Sequence, residues 1–116
     1  MKFGPVEFAV AKSFGVGLKP SRFVIGASTT TINLASIGVG DIPFTFEVSP
    51  DVVTDPTVSI RVDVSFDGGT TYANVGTFST YSTRRWVRSP EELPPTHLMV
   101  YRVSGTSILS EFIIGA

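Results

Sequence analysis

Hydrophobic and polar residues alternate along much of this chain with the two-residue period of β-strands that bury one face. The clearest run is 58–66, in which every even-numbered residue is Val, Ile or Phe and every odd-numbered residue is Ser, Arg or Asp. Residues 44–48 alternate in the same way, with Phe, Phe and Val on one face and Thr and Glu on the other. Both segments therefore predict strands with one buried face and one polar face.

Five further segments carry weaker strand patterns: 6–10, 23–34 (one long strand or two short ones), 72–78, 98–103 and 108–114. The almost continuous apolar run 98–103 predicts a strand buried on both faces. Residues 79–88 are polar and then basic, which favours a solvated loop. About seven or eight strands with tight turns and no crossover helices predict an all-β fold. The expected architecture is a single antiparallel β-sandwich, immunoglobulin-like in the first instance or jelly-roll-like.

The N-terminal region differs from the rest of the chain. Phe3, Phe8 and Phe14 lie in a Gly-rich setting around the short strand pattern. One interpretation is an edge strand and loop whose rings pack on the parent core. The other is an extended arm that docks its rings on a neighbouring subunit. The predicted organisation is an N-terminal arm or edge strand at 1–21 and a β-sandwich domain at 22–116.

Composition removes most enzyme chemistry. The 116 residues fit one domain, and the absence of Cys excludes disulfides, thiolate metal sites and Cys nucleophiles. His97 is the only imidazole, and we expect it to make ordinary hydrogen bonds rather than act as a general base. No nucleophile-elbow, P-loop or zinc-protease motif occurs. We therefore expect no enzyme, no catalytic residues and no cofactor. No run approaches the roughly 18 apolar residues of a membrane span, so no membrane association is expected.

One segment matches the opening of a calcium loop in residue type. Asp63, Ser65, Asp67 and Gly68 have the required spacing, but the position of the bidentate acid falls on Asn74. We therefore predict no metal site.

The same segment resembles the Asp-box, the S-x-D-x-G-x-T-W hairpin of sialidase-type propellers, with Tyr in place of Trp. The residues assigned to it are Ser65, Asp67, Gly68, Gly69, Thr71 and Tyr72. In those propellers the motif is a structural hairpin at the blade periphery. The resemblance thus implies a β-hairpin and no sugar hydrolysis. The turn chemistry agrees, because Asp can accept hydrogen bonds from its own turn amides and Gly supplies positive φ.

A basic cluster follows the hairpin. Arg84, Arg85 and Arg88 surround Trp86, with Tyr81 nearby. The cluster can be a solvated loop, a nucleic-acid contact or a protein interface. The net charge of −1 argues against nucleic acid. Arg and Trp are enriched at interface hot spots, which favours a protein partner over nucleic acid.

The overall pattern resembles small structural proteins of tailed and related bacteriophages, of the capsid decoration (cement) type. The resemblance is carried by 44–48, 58–66, the hairpin 67–72 and the closing segment 98–114, in a cysteine-free chain with a terminal arm. It implies a virion structural protein that stabilises a shell through inter-subunit contacts. The implied partners are a major capsid protein or other virion proteins and further copies of this chain, in a virion assembled in the host cytoplasm. The expected interface residues are Phe3, Phe8, Phe14, Arg84, Arg85, Trp86 and Arg88.

Two alternatives stay open. The protein can be a head–tail connector, tail or tail-tip component, which would assemble as a ring. It can also be a glycan- or receptor-binding module, in which Tyr81, Trp86 and Tyr101 form a stacking platform.

Overall fold

A computed structural model of the protein describes residues 20–39, 43–87 and 93–115. The predicted N-terminal strand, the three arm phenylalanines and Arg88 lie outside these residues. The described chain forms eight strands and one short 3-10 turn at Ala35–Ile37. The strands are β1 (Ser21–Ile25), β2 (Thr30–Asn33), β3 (Phe44–Ser49), β4 (Ser59–Ser65), β5 (Ala73–Phe78), β6 (Ser82–Trp86), β7 (His97–Ser104) and β8 (Ser110–Gly115).

The strands form two antiparallel four-stranded sheets that pack together, so the predicted all-β sandwich is confirmed. The first sheet has the order β1-β8-β3-β6 and the second the order β2-β7-β4-β5. An immunoglobulin sandwich pairs several strands that are consecutive in sequence. Among the eight strands of the described residues, only β4 and β5 are both consecutive and paired. The observed order is that of an eight-stranded jelly roll, and it selects the second of the two predicted architectures.

The topology places alternate loops at opposite ends of the sandwich. The upper end carries the loops that follow β1, β3, β5 and β7, which are residues 26–29, 50–58, 79–81 and 105–109. The lower end carries the segments that follow β2, β4 and β6. The register confirms this assignment, because Ile25 lies opposite Ser110 at the upper end and Ser21 lies opposite Ile114 at the lower end.

The core lies between the sheets and is aromatic at its centre. Phe46 stacks on Phe112 with 5.2 Å between ring centroids and meets the edge of Phe78 at 6.3 Å. Ile60 and Ile114 are fully buried around them. Each such side chain contributes about 1.5–3 kcal/mol by leaving water. This core fixes the positions of the loops at both ends.

The basic segment is where the sequence-based prediction is wrong. Residues 82–86 form strand β6, which pairs with β3, and not a solvated loop. Trp86 explains the difference, because its ring stacks on Phe44 at 6.1 Å and lies 6.1 Å from Phe66. In the part of the chain that the structure describes, β6 is the last strand of its sheet, and charged side chains are common on such edges.

Strands β3 and β7 differ from their predicted burial. On β3, the polar residues Thr45 and Glu47 of the outer face are buried as well as the inner apolar residues. On β7, Met99 and Tyr101 are only partly buried, so this strand is not buried on both faces. An apolar run therefore did not identify the more buried strand.

Candidate interaction surfaces

An exposed aliphatic surface lies at the upper end of the sandwich. Val52 and Val53 in the loop after β3 are 39% and 94% exposed, and Ile108 and Leu109 in the loop after β7 are 58% and 60% exposed. We call these four residues the apical patch. The prediction that strand β8 begins at Ile108 is wrong, because pairing starts at Ser110. Exposed apolar patches of roughly a few hundred Å² on small soluble domains often mark binding sites.

Asp51 ties the two patch-bearing loops together from one side. Its backbone N–H donates to Ser110 Oγ at 3.0 Å. Its carboxylate accepts from Ser107 Oγ at 2.7 Å and from the N–H of Thr54 at 3.3 Å. The hydrogen bond from Ser107 is the main cause of a lowered pKa for the Asp51 carboxyl.

Asp55 ties the same loops from the other side. Its carboxylate accepts hydrogen bonds from the backbone N–H groups of Thr106 and, at 3.2 Å, Ser107. It also accepts from Thr57, through the N–H at 3.0 Å and the hydroxyl at 2.7 Å. These donors, the Thr106 N–H above all, hold the pKa of Asp55 well below its usual range. We call Asp51 and Asp55, with Ser107 and Ser110, the aspartate clasp.

The aspartate clasp holds the side chains of the apical patch towards solvent. Val52 and Val53 lie between Asp51 and Asp55, and the pair 108–109 lies between the two clasp serines, of which Ser107 is 5% exposed. Each aliphatic pair is therefore held between two anchored residues and cannot turn towards the core without breaking those hydrogen bonds. A surface held in this way loses little conformational entropy on binding.

Gly105 fits the chain closely against the clasp. Its φ of +84° is left-handed, and a Cβ there would lie 2.6 Å from Asp55 Oδ2 and 2.7 Å from Val58 Cα. Only glycine satisfies both the backbone conformation and the close approach.

The hairpin at the lower end uses the same chemistry within one turn. Asp67 accepts from the N–H of Thr71 at 2.9 Å and its hydroxyl at 2.6 Å, and from Ser65 Oγ at 2.7 Å. Hydrogen bonds from Thr71 lower the pKa of Asp67 to about 2. Gly68 and Gly69 have φ of +77° and +91°. This loop joins β4 to β5, and Ser65 Oγ also accepts from the N–H of Gly69 at 2.9 Å. Tyr72, the last residue assigned to the hairpin, is partly buried.

Asp63 is bound within the outer face of the second sheet. Burial alone would raise its pKa, but hydrogen bonds from Arg61 at 2.9 Å, Asn74 at 3.2 Å and Tyr101 at 3.0 Å lower it overall. Its carboxylate is therefore held by partners from three strands. Burial, followed by the contact with Asp63, raises the pKa of Tyr101.

The basic cluster divides between the two faces of its sheet. The Arg84 guanidinium lies over the Phe78 ring at 5.2 Å, on the core side of β6. Arg85 points to the outer face and donates to Thr45 Oγ1 at 3.0 Å. Trp86 is packed against the core, so its ring stabilises β6 from within. The arginines remain exposed along the strand edge and could contact a partner there.

The three aromatic residues of the predicted stacking platform do not come together. Trp86 lies against the core of the first sheet, whereas Tyr81 donates to Glu47 Oε1 at 2.9 Å on the outer face of that sheet. Tyr101 belongs to the second sheet, where it contacts Asp63. A flat sugar-binding surface made of these three side chains is therefore not present.

A cleft of about 310 Å³ opens at the lower end, lined in part by Asn33, Pro94, Pro95 and His97. His97 Nδ1 lies 3.1 Å from Thr96 Oγ1, which is an ordinary hydrogen-bonding arrangement. Asn33 Oδ1 accepts from the N–H groups of the short 3-10 turn. The polar groups of the cleft therefore serve local structure.

Comparisons of the chain with family models, with curated proteins and with solved structures found no match. In the described residues, no three His, Asp or Glu side chains form a group that could hold a metal ion. No helix in the same ranges is long and apolar enough to cross a membrane.

The apical patch is the feature that strand-pattern reasoning missed. Its two aliphatic pairs stand in the sequences Asp-Val-Val-Thr-Asp at 51–55 and Ser-Ile-Leu-Ser at 107–110. In both, hydrogen-bonding residues flank the aliphatic residues, but the same framing surrounds the buried Val58 and Val64, so it does not by itself reveal exposed side chains.

Proposed function

We propose that the protein is a structural subunit of a virus particle, of the capsid decoration type, that acts by adhesion to its neighbours. The observation that carries this proposal is the apical patch, four aliphatic side chains presented on loops that the aspartate clasp holds in place. Such a surface is suited to binding another protein rather than to chemistry. The jelly-roll order adds support by analogy of fold, since capsid domains commonly use it.

The exposed arginines of β6 supply a second adhesive surface in this proposal. Arg84 and Arg85 lie on the two sides of the edge strand, while Trp86 fastens that strand to the core. An acidic surface on a shell protein would complement this edge. The protein would then contribute many modest contacts that are repeated by the symmetry of the particle.

The test is whether the protein is part of the particle. Virus particles from the organism that encodes this chain would be purified on a density gradient and analysed by quantitative mass spectrometry. We expect the protein to co-sediment with the shell at a fixed ratio to the major capsid protein. Its absence from intact particles, or a ratio that varies between preparations, would contradict the proposal.

Stripping and re-adding the protein gives a second measurement. Stripped shells should regain heat resistance when the wild type is added back, and less so with Arg84→Ser/Arg85→Ser. A double variant at other exposed residues of the same sheet, Arg22→Ser/Val24→Ser, serves as the matched control. Equal recovery with both variants would exclude the β6 edge as the shell contact.

A further inference from the structure

We propose that the apical patch binds the N-terminal segment, residues 1–19, of a second copy of this chain, so that copies associate head to tail. The inference rests on the proposed adhesive role of the patch and names the partner. It would place each protomer's N-terminal segment on the upper end of the next protomer.

The charge of the two surfaces is complementary. The four upper-end loops contain two carboxylates, Asp51 and Asp55, and no basic residue, and the Arg102 guanidinium, which donates to the Ser107 carbonyl at 2.7 Å, offsets only one of the two charges. Residues 1–19 contain three Lys and a single Glu, so their side chains carry a positive net charge. An apolar surface with an acidic rim fits an apolar segment with basic residues, and such pairing also selects against like-charged partners.

The size of the patch favours a segment over a flat surface. Stable interfaces between rigid faces bury roughly 800 Å² on each partner. The four aliphatic side chains offer roughly a few hundred Å². Besides Met1, residues 1–19 contain seven large apolar side chains, at positions 3, 6, 8, 10, 14, 16 and 18, which can contact a small patch and the strands beside it.

The direction of the chain favours a second copy over the same one. Strand β1 runs from Ser21 at the lower end to Ile25 at the upper end, where Gly26 lies beside Ile108. Residues before Pro20 therefore join the sandwich at the end opposite the patch. The segment's own patch therefore lies a full strand length away from its point of attachment at Ser21, whereas a protomer stacked below would present its upper end next to that point. A head-to-tail contact closes into a ring if the rotation between copies permits.

Two variants test the proposal on the full-length chain by light scattering across a concentration series. The patch variant Val53→Lys/Ile108→Lys removes apolar contact and adds charge that repels a basic segment. The segment variant Phe8→Ser/Phe14→Ser keeps the patch. The matched control, Val87→Lys/Leu93→Lys, changes side chains that are 66% and 69% exposed outside the upper-end loops. Circular dichroism and the thermal midpoint establish that each variant folds.

The expected result is an oligomer for the wild type and the control, and a monomer for each of the two variants. An equimolar mixture of the two monomeric variants should give a heterodimer and nothing larger, since only one functional segment and one functional patch remain in each pair. A monomeric wild type, an oligomer that survives the patch variant, or a mixture that does not associate would overturn the inference. A wild type that is monomeric in solution and still present in purified particles would overturn this inference while leaving the proposed function intact.

Discussion

The two ends of the sandwich use one kind of hydrogen bond for different purposes. At the lower end, Asp67 accepts from donors two and four residues away, so its carboxylate is satisfied within one turn. At the upper end, Asp55 accepts from Thr106 and Ser107, which are 51 and 52 residues away, so it joins two loops. Local bonds shape a turn, whereas distant ones fix the relation between loops. The four residues of the apical patch stand on the two upper-end loops that these distant bonds join.

Substitutions of a glycine at each end should give the largest difference in stability between the upper and the lower end. Gly105→Ala combines left-handed strain with overlap against Asp55 and Val58, and we expect a loss of about 3 kcal/mol in the free energy of unfolding. Gly68→Ala, which meets no atom within 4 Å, should lose only about 1 kcal/mol from strain. Urea denaturation of both variants measures the difference. Equal losses would mean that the loop after β7 accommodates a Cβ as easily as the hairpin does.

Substituting the aspartates should likewise destabilise the protein more at the upper end than at the lower end. Asp55→Asn replaces one acceptor oxygen by an NH2 group at a carboxylate whose two oxygens both accept hydrogen bonds, so one set of donors loses its acceptor. We expect it to lower the thermal midpoint more than Asp67→Asn does, because it releases a contact between two loops rather than one turn. Differential scanning calorimetry at neutral pH makes the comparison. A larger effect at Asp67 would contradict the assigned importance of the clasp.

Acid should weaken both ends, with a defined sign. The folded pKa values of Asp51, Asp55 and Asp67 are lowered, so their contribution is present above the unfolded value of about 4 and is lost as the pH falls through the folded values. We expect a thermal midpoint that changes little between pH 5 and 7 and falls steadily below pH 4.

Variants assign this acid dependence to the two ends. Asp67→Asn should remove the part of the fall in thermal midpoint that develops towards pH 2. The double variant Asp51→Asn/Asp55→Asn should remove a larger part of that fall. Asp63, whose pKa is also lowered, accounts for a remainder. If the thermal midpoint fell equally in the wild type and in the clasp variant, the aspartate clasp would not be the cause of the acid sensitivity.

The hairpin and the clasp also differ in how far they can be predicted from the sequence. The hairpin was recognisable because the donors to Asp67 lie within four residues of it, so spacing alone identified Asp67 and its glycines. The clasp depends on the jelly-roll topology, which brings 50–58 beside 105–109, and no local pattern encodes that meeting. Strand β6 was missed for the same reason, because the partly buried Trp86 packs against Phe44 and Phe66, which are distant in sequence. The sandwich architecture, by contrast, follows from alternation that each strand displays on its own.

The smallest effect on the free energy of unfolding is expected for substitutions in the apical patch, the surface to which the proposed function assigns binding. Val53→Ser and Leu109→Ser remove exposed aliphatic side chains, and each should change the free energy of unfolding by no more than about 0.5 kcal/mol. Leu98→Ala, in the buried core, should cost about 2–5 kcal/mol under the same conditions. Urea denaturation of the three variants gives the contrast. If the patch variants instead lost stability on the scale of Leu98→Ala, the aliphatic pairs would be part of the folded core, and a binding role would not be needed to explain them. A patch that contributes little to folding, yet is held in place by four anchored residues, is explained by a partner that it binds.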